Sequence, residues 1–306
     1  MISDRPPLLT GVVVHWRDES GLARLLDAWP ADRRFELLVV DNGGTLGNSG
    51  PELGRTGRIR RLTPDRNLGF AGGANLGARK ARGDLLLLLN PDARPTPGAL
   101  EALVEGAEGH PEAAGLVPRL VDADGEDQVS WQLRPLPRPG QLALHALFVD
   151  SIRGPDRGPE AGTEVAQPAA AALLLRRSAW REVGGMDESF WPAWFEDVDL
   201  ARRLEDRSLP LLYWPRAVFR HDRAGSLPAL GYEGFLRAYY GNLVRYLRKH
   251  HGLRWEAVGR VLVVVGMVLR VALLPLRRPE RASTRGAAAA ALLRTARDAA
   301  LGGRSR

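Results

Sequence analysis

The sequence has no cysteine in 306 residues, which excludes a disulfide framework, a thiolate metal site and a cysteine nucleophile. Lysine is nearly missing as well: Lys80 and Lys249 are the only two, so almost all positive charge is arginine. Long uninterrupted apolar runs are absent. The stretch VLVVVGMVLRVALLPL at 261–276 contains Arg270 and Pro275, whereas a membrane-spanning helix needs about 20 mostly apolar residues. In-plane insertion or burial is therefore expected for it. MISDRPPLLTGVVVHW at the start has neither a long apolar region nor a small-residue cleavage site, so it does not read as a secretory signal. A reducing cytoplasmic setting is the expectation.

What is present is 44% hydrophobic and 26% charged residues, enough for one large core or two smaller ones. The formal net charge is +7, but residues 1–236 carry 28 Lys+Arg against 33 Asp+Glu, and residues 237–306 carry 15 against 3. A nucleic-acid-binding domain would spread basicity over its folded body, so a nucleic-acid partner is not expected. The positive charge belongs to the C-terminal quarter. Arg245, Arg248, Lys249, Arg254 and Arg260 precede the 261–276 stretch, and Arg277, Arg278, Arg281 and Arg285 follow it. Such flanks suit an anionic membrane surface.

Apolar runs at Leu8–Val14, Phe35–Val40, Arg58–Leu62, Asp84–Leu89 and Ala169–Leu175 predict strands. Helical spacing appears at Ser20–Trp29, Gly72–Ala81, Ala99–Gly106, Ala179–Val183 and Asp197–Glu205. Strands alternating with helices predict a mostly parallel sheet in an α/β domain. Residues 122–168 read as a long loop region with one periodic piece at 141–149. Leu211–Trp214 and Ala217–Phe219 read as two short strands, Tyr232 to Leu276 as helical, and the Ala/Arg-rich tail as helical or disordered.

Ligands of open parallel sheets bind beyond the carboxyl ends of the strands. Three acidic groups stand at such places: Asp41, Asp92 after Asn90-Pro91, and Glu196-Asp197 at the start of a helix that also carries Asp199. Between the first two lies RNLGFAGGAN at 66–75, whose glycines would let backbone approach a ligand and whose helix would present N–H groups to phosphate. It matches neither the P-loop nor the dinucleotide fingerprint.

VVDN at 39–42, RNLGFAGGANLG at 66–77, LLLLNPD at 86–92, GGMDESF at 184–190, FEDVDLARRL at 195–204 and HDRAGS at 221–226, in that order, resemble a family-two glycosyltransferase of the GT-A fold. Asn-Pro-Asp with the NLGFAGG loop resembles the rhamnosyltransferase-like branch, and YYGNLVRYLRKHHG at 239–252 extends the similarity. The resemblance implies a domain over residues 1–230, with a nucleotide-sugar part to about 120 and an acceptor part beyond. A helical membrane-associating segment at 231–280 and a tail at 281–306 would follow.

It further implies a nucleotide-diphosphate sugar donor, a divalent metal, and inversion at the anomeric carbon. Asp41 matches the residue that reads the nucleobase, and Arg66, Asn67, Gly69, Gly72, Gly73, Asn75 and Asn90 match the nucleotide pocket. Asp92 and His221 match metal or diphosphate contacts, for which oxygen ligands suit Mg²⁺ or Mn²⁺. Asp197 matches the general base, which takes the proton of the acceptor hydroxyl, with Glu196 supporting it. Asp199 points away from Asp197 towards Arg202-Arg203.

The implied donor is dTDP-L-rhamnose, with UDP-sugars as the alternative. The implied acceptor is a glycan or polyprenyl-diphosphate-linked glycan met at the inner face of the cell membrane. Ala169–Ala172 departs from the small Gly-containing pair of the family, and Trp191 and Trp194 stand where smaller aromatics are usual, offering faces for the acceptor sugar. A nucleotidyltransferase would need a basic activating motif near the N-terminus, where residues 11–20 hold only Arg17. An inactive sugar-nucleotide-binding scaffold would not need the intact acidic set.

Overall fold

The computed structural model describes residues 6–46, 58–147, 152, 154–222, 227–276 and 282–302, with 227–229 in backbone only. Arg277, Arg278, Arg281, residues 223–226 of the HDRAGS motif, and Phe148 and Val149 of the 141–149 period lie outside the described residues.

The chain opens as β1 (Leu9–His15), α1 (Glu19–Ala28), β2 (Phe35–Asp41), β3 (Ile59–Leu62), α2 (Gly69–Lys80), β4 (Leu85–Leu89), β5 (Ala93–Pro95) and α3 (Ala99–Gly109). It continues as β6 (Gly115–Val121), α4 (Val129–Gln132), β7 (Leu133–Arg134), α5 (Pro139–His145), β8 (Gln167–Pro168), β9 (Ala172–Arg176), α6 (Arg177–Glu182) and α7 (Glu196–Glu205). The last elements are β10 (Leu211–His221), α8 (Leu227–His251), α9 (Leu253–Leu273) and α10 (Arg285–Leu301).

These elements form two compact units. The first comprises residues up to Leu136 together with Gly154–Glu188 and Asp197–Gly225; the second comprises Pro137–Arg153, Ser189–Glu196 and Ser226 onward. In the first unit one sheet runs in the order β3-β2-β1-β4-β9-β6-β10-β5. Its β1, β2, β3 and β4 are mutually parallel, as are β6 and β10, while β9 is antiparallel to both β4 and β6, and β5 to β10. The sheet is thus mixed and flanked by helices.

Both faces are covered, which is why Leu37–Val40 of β2 and the whole of β4 read as unbroken apolar runs. Leu37, Val39, Leu87 and Leu89 meet Leu22 and Leu25 of α1 and Leu100 and Leu103 of α3 on one face. Leu38, Val40, Leu86 and Leu88 meet Ala71, Ala74 and Ala78 of α2 and Leu200 and Leu204 of α7 on the other. Each fully buried leucine contributes about 1.5–3 kcal/mol.

β6 has no counterpart in the expected strands. Proline normally argues against an interior strand, and β6 carries Pro118, whose partner Trp214 stands where β10 shifts register before Val218. The bulge accommodates the missing N–H. It also joins the two expected strands at 211–214 and 217–219 into the single β10. The expected loop at 122–168 contains α4, a two-stranded β7–β8 ladder and α5. The first predicted segment of α2 starts three residues early, at Gly69 instead of Gly72.

In the second unit α5, α8, α9 and α10 pack on one another, with Leu243, Tyr246, Leu247, Val263, Met267 and Leu292 fully buried. The helical stretch expected to run to Leu276 is interrupted at Gly252, whose φ of 84° separates α8 from α9. Within the tail, Arg285–Leu301 is helical: Thr284 caps α10 by accepting from the Ala287 N–H at 3.0 Å.

Helix α2 approaches β1 closely because it lacks side chains there. A Cβ on Gly77 would fall 2.2 Å from Val12 Cγ1, whereas one on Gly109, at the end of α3, would meet nothing within 4 Å. Gly77→Ala is expected to destabilise the fold by about 1–3 kcal/mol through overpacking. Gly109→Ala should leave stability unchanged or raise it slightly through helix propensity. Urea denaturation midpoints of the two variants check the contrast.

Candidate active site

Asp41 ends β2 with no exposed surface. One carboxylate oxygen receives Arg61 of the neighbouring β3 and the other accepts from the Leu46 N–H at 3.2 Å and the Thr45 hydroxyl at 3.4 Å. His15, at the end of β1, has Nδ1 3.7 Å from Asp41 Oδ1. Burial pulls the pKa of this imidazole below its usual value against the pull of Asp41. The next residue, Asn42, shapes the 66–69 loop: its amide donates to Asn67 Oδ1 at 3.0 Å and to the Gly69 carbonyl at 3.1 Å, and its oxygen accepts the Leu68 N–H at 2.7 Å. Asn67 Oδ1 also accepts the Gly69 N–H at 2.8 Å, and Gly69 has a left-handed φ of 72° that favours glycine. Asn42 was not among the residues predicted to act.

The loop leads into α2 without a side-chain cap at its N-terminus. Exposed Arg66, with Arg61, Pro64, Leu68 and Leu76, lines an open cavity of about 550 Å³. The glycines differ in what they admit. A Cβ on Gly72 would press on Leu68 Cβ at 2.8 Å, and one on Gly73 on Val14 Cγ1 at 2.6 Å, so Gly73 serves the packing of α2 on β1. Asn75 is drawn to the 184–188 turn: it donates to the Met186 carbonyl at 2.8 Å and Glu188 Oε1 at 2.9 Å, and accepts the Met186 N–H at 3.0 Å.

Asp92 and His221 are 129 positions apart in the chain, and the antiparallel pairing of β5 with β10 brings them together by setting His221 opposite Ala93. His221 Nε2 lies 3.5 Å from Asp92 Oδ1, and both side chains are buried. The preceding turn is tied down where the Asn90 N–H donates to the Ala171 carbonyl at 2.9 Å. Gln128 fixes the imidazole. Its Nε2 donates to the His221 carbonyl at 2.7 Å, which directs its oxygen to His221 Nδ1 at 2.9 Å, and Trp131 stacks on the ring at 5.1 Å between centroids.

Nε2 is thereby turned towards the Asp92 carboxylate, which sets an imidazole nitrogen and a carboxylate oxygen side by side, both groups of the kind that ligate a divalent cation. A ring N–H held by a carbonyl is also the usual support of a ligating histidine. Among the described residues no group of three or more His, Cys, Asp or Glu side chains could hold a metal by itself. An ion here would complete its shell with phosphate or water oxygens, as Mg²⁺ characteristically does.

Asp197 is half-buried near the start of α7, where its carboxylate accepts the Val198 N–H at 2.8 Å. Burial pushes its pKa above the ordinary carboxylate value, opposed by Arg134 of β7 and by backbone N–H groups including that of Ala170. Arg134 and Gln128 both come from the segment read as loop. Glu196 is buried as the first residue of α7. Asp199 is turned to Arg203, 2.8 Å away, and that guanidinium also donates to the Val183 and Gly185 carbonyls at 2.6 and 2.7 Å. The 183–188 turn is thereby gripped by α7 and by Asn75.

In the second unit, Trp191 is 38% exposed, while Trp194 packs its ring against Phe235 at 5.2 Å and Tyr239 at 6.4 Å. Trp194 and Phe195 both hold left-handed φ, 74° and 72°, a costly conformation for aromatic residues that clusters at functional sites. Asn242 of α8, fully buried, secures this turn by donating to the carbonyls of Ala193 at 2.9 Å and Trp194 at 3.1 Å. It belongs to the YYGN segment but was not singled out.

The profile of the family described as Glycosyl transferase family 2 matches residues 12–183. The chain is 30% identical over 275 residues to the N-acetylglucosaminyl-diphospho-decaprenol L-rhamnosyltransferase of Mycobacterium tuberculosis, covering 82% of this chain and 87% of that protein. A pre-mycofactocin glycosyltransferase of the same organism is 31% identical over 72% of this chain and 43% of its own length. Among solved structures, GalNAc-T7 with UDP, GalNAc and Mn²⁺ superposes with a TM-score of 0.54 at 16% identity, over 79% of this chain and 48% of that one. S. aureus TarS 1–349 gives 0.51 at 12% identity, over 96% and 82%. These likenesses show the fold, which is of the GT-A type.

Replacing Asn242 by Ala removes the fully buried amide that donates to the part-buried carbonyls of Ala193 and Trp194 and is expected to cost about 1–3 kcal/mol. Chemical denaturation measures it; a stability equal to the parent would show that the Trp194–Phe195 turn stands without this clamp.

Proposed function

This chain belongs to glycosyl transferase family 2, within its rhamnosyltransferase-like members, and from that premise we propose an inverting, metal-dependent transfer of a sugar from a nucleotide-diphosphate donor to a lipid-linked glycan. The observation that carries the reading is the buried Asp92–His221 pair, with His221 oriented by Gln128 so that Nε2 faces the carboxylate. Asp92 and His221 would hold Mg²⁺ or Mn²⁺, which would neutralise charge developing on the departing diphosphate. Asp41, Arg66, Asn67, Gly69, Gly72, Gly73, Asn75 and Asn90 are assigned to the donor side, either as contacts or, for Gly73 and Asn75, through the packing of α2 that holds the loop. Trp191 and Trp194 are assigned to the acceptor.

Asp197 removes the proton of the acceptor hydroxyl as that oxygen bonds to the anomeric carbon and the bond to the diphosphate breaks. Attack opposite the leaving group inverts the centre, and no covalent enzyme intermediate is required. Arg134 opposes the burial of Asp197 and so favours its ionised, proton-accepting form. Glu196 supports the base. The similarity to an L-rhamnosyltransferase acting on a decaprenol-linked acceptor supports dTDP-L-rhamnose as donor and a polyprenyl-diphosphate-linked acceptor, with the protein peripheral on the cytoplasmic face of the membrane.

A thermal-shift panel of sugar nucleotides, with and without Mn²⁺, tests the donor: dTDP-L-rhamnose should raise the melting temperature most, by mass action. A larger shift with a UDP-sugar reassigns the donor, and no shift with any nucleotide overturns the reading. Asp197→Asn should lower transfer by about 10²–10⁴-fold while donor binding persists. Because burial raises the Asp197 pKa and the base must be ionised, activity should fall with decreasing pH, with its midpoint above the roughly 3.9 of a free aspartate. A rate profile flat down to that value would remove Asp197 from the role.

A further inference from the structure

The apolar stretch at 261–276 shows in three dimensions a division that its sequence conceals. Every exposed position of α9 from Ala257 to its end at Leu273 is apolar, and Val258, Val261, Val265, Val268, Leu269 and Leu273 recur at spacings that place them on one side. The two arginines of this span are turned away. Arg260 is bound to Glu256 at 2.7 Å and to the Ala299 carbonyl at 2.9 Å, and Arg270 to the Tyr240 hydroxyl at 2.6 Å and the Ala146 carbonyl at 3.0 Å. Helices α5, α8 and α10 pack on the remaining sides. Among the described residues an uncovered apolar strip about 25 Å long results, with Val261 60% exposed towards its start and Val265 41% exposed at its middle.

We propose that this strip is a docking surface for an anionic bilayer, with α9 lying in the membrane plane. No helix among the described residues is long and apolar enough to cross a membrane, so the strip can enter the interface only along its length. Charge selects the occupant. Exposed Arg254 and Arg285 belong to a 70-residue quarter with 15 basic residues and 3 acidic ones. A second copy packed on the same strip by two-fold symmetry would set like charges against like, whereas anionic headgroups are attracted to them. The inference rests on the lipid-linked acceptor reading for its purpose, but its test is independent of transfer.

Full-length protein is floated with vesicles of phosphatidylcholine containing 30% phosphatidylglycerol and with vesicles of phosphatidylcholine alone. It should rise with the former and less with the latter. The triple variant Val261→Asn, Val265→Asn, Val268→Asn should lose about tenfold or more of its partitioning, with an unchanged melting temperature. Arg254→Glu, which leaves the strip intact, should reduce binding to the anionic vesicles alone. Flotation of the triple variant equal to the parent overturns the proposal, as does a parent that stays unbound. A parent dimer that the triple variant converts to a monomer in light scattering also overturns it, by assigning the strip to a second copy. If the parent floats but no sugar nucleotide shifts its melting, the surface stands and the transferase reading falls.

Discussion

The pairing of three residues at the edge of the sheet, Pro95, Arg94 and Ala93 with Phe219, Arg220 and His221, is the constraint on which the candidate centre depends. It is antiparallel at the far end of a sheet whose other half is parallel, and it places a residue from late in the chain beside the turn after β4. A slip of one residue would turn His221 to the opposite face. Two arginines reinforce the register, Arg94 at 2.7 Å and Arg24 at 3.1 Å from the carboxylate of Asp222, the next residue along. Gln128 then ties the backbone and the ring of His221 in one bidentate contact, so that strand position and imidazole orientation are set together.

The two carboxylates assigned to chemistry are held in unlike settings. Asp92 is buried opposite the Nε2 edge of the His221 imidazole, a carboxylate and a ring nitrogen side by side, which suits a bound cation. Asp197 meets burial that raises its proton affinity and Arg134 that lowers it. Different environments assign different roles to the same functional group. Around Asp197 the backbone is over-determined: Asp199 and Arg203 fasten α7 to the 183–185 carbonyls, and the chain just ahead of it passes through two left-handed aromatic residues clamped by Asn242. Conformations that cost energy locally persist where neighbours hold them.

Much of the first unit was legible in the sequence. Val12–Val14, Leu37–Val40 and Leu85–Leu89 are strands because both faces of the sheet are covered, and a short apolar run is enough to reveal that. β6 was not legible, since Pro118 contradicts a strand unless the partner's bulge is known. The order of short motifs pointed to Asp92, Asp197 and His221, but nothing local in Gln128, Arg134 or Asn242 announces a role, because each acts on a residue distant in sequence. The glycines of the 66–75 loop suggest room for a ligand, while at Gly73 the room is taken by Val14. Hydropathy counts Arg270 against a membrane-spanning helix but says nothing of which way it turns.

The inward pairing of Arg260 and Arg270 means that α9 is amphipathic only in company. Taken alone, its sequence from Ala257 to Leu273 scatters two cations among valines and leucines on a helix with no clear polar side. Its neighbours create the polarity by binding those cations: Ala299 of α10 for one, Tyr240 of α8 and Ala146 beside α5 for the other. The character of this helix is thus a tertiary property, acquired when the helices assemble. A homologous segment could keep every apolar residue and lose its two-sidedness through a change in α10 that touches none of them.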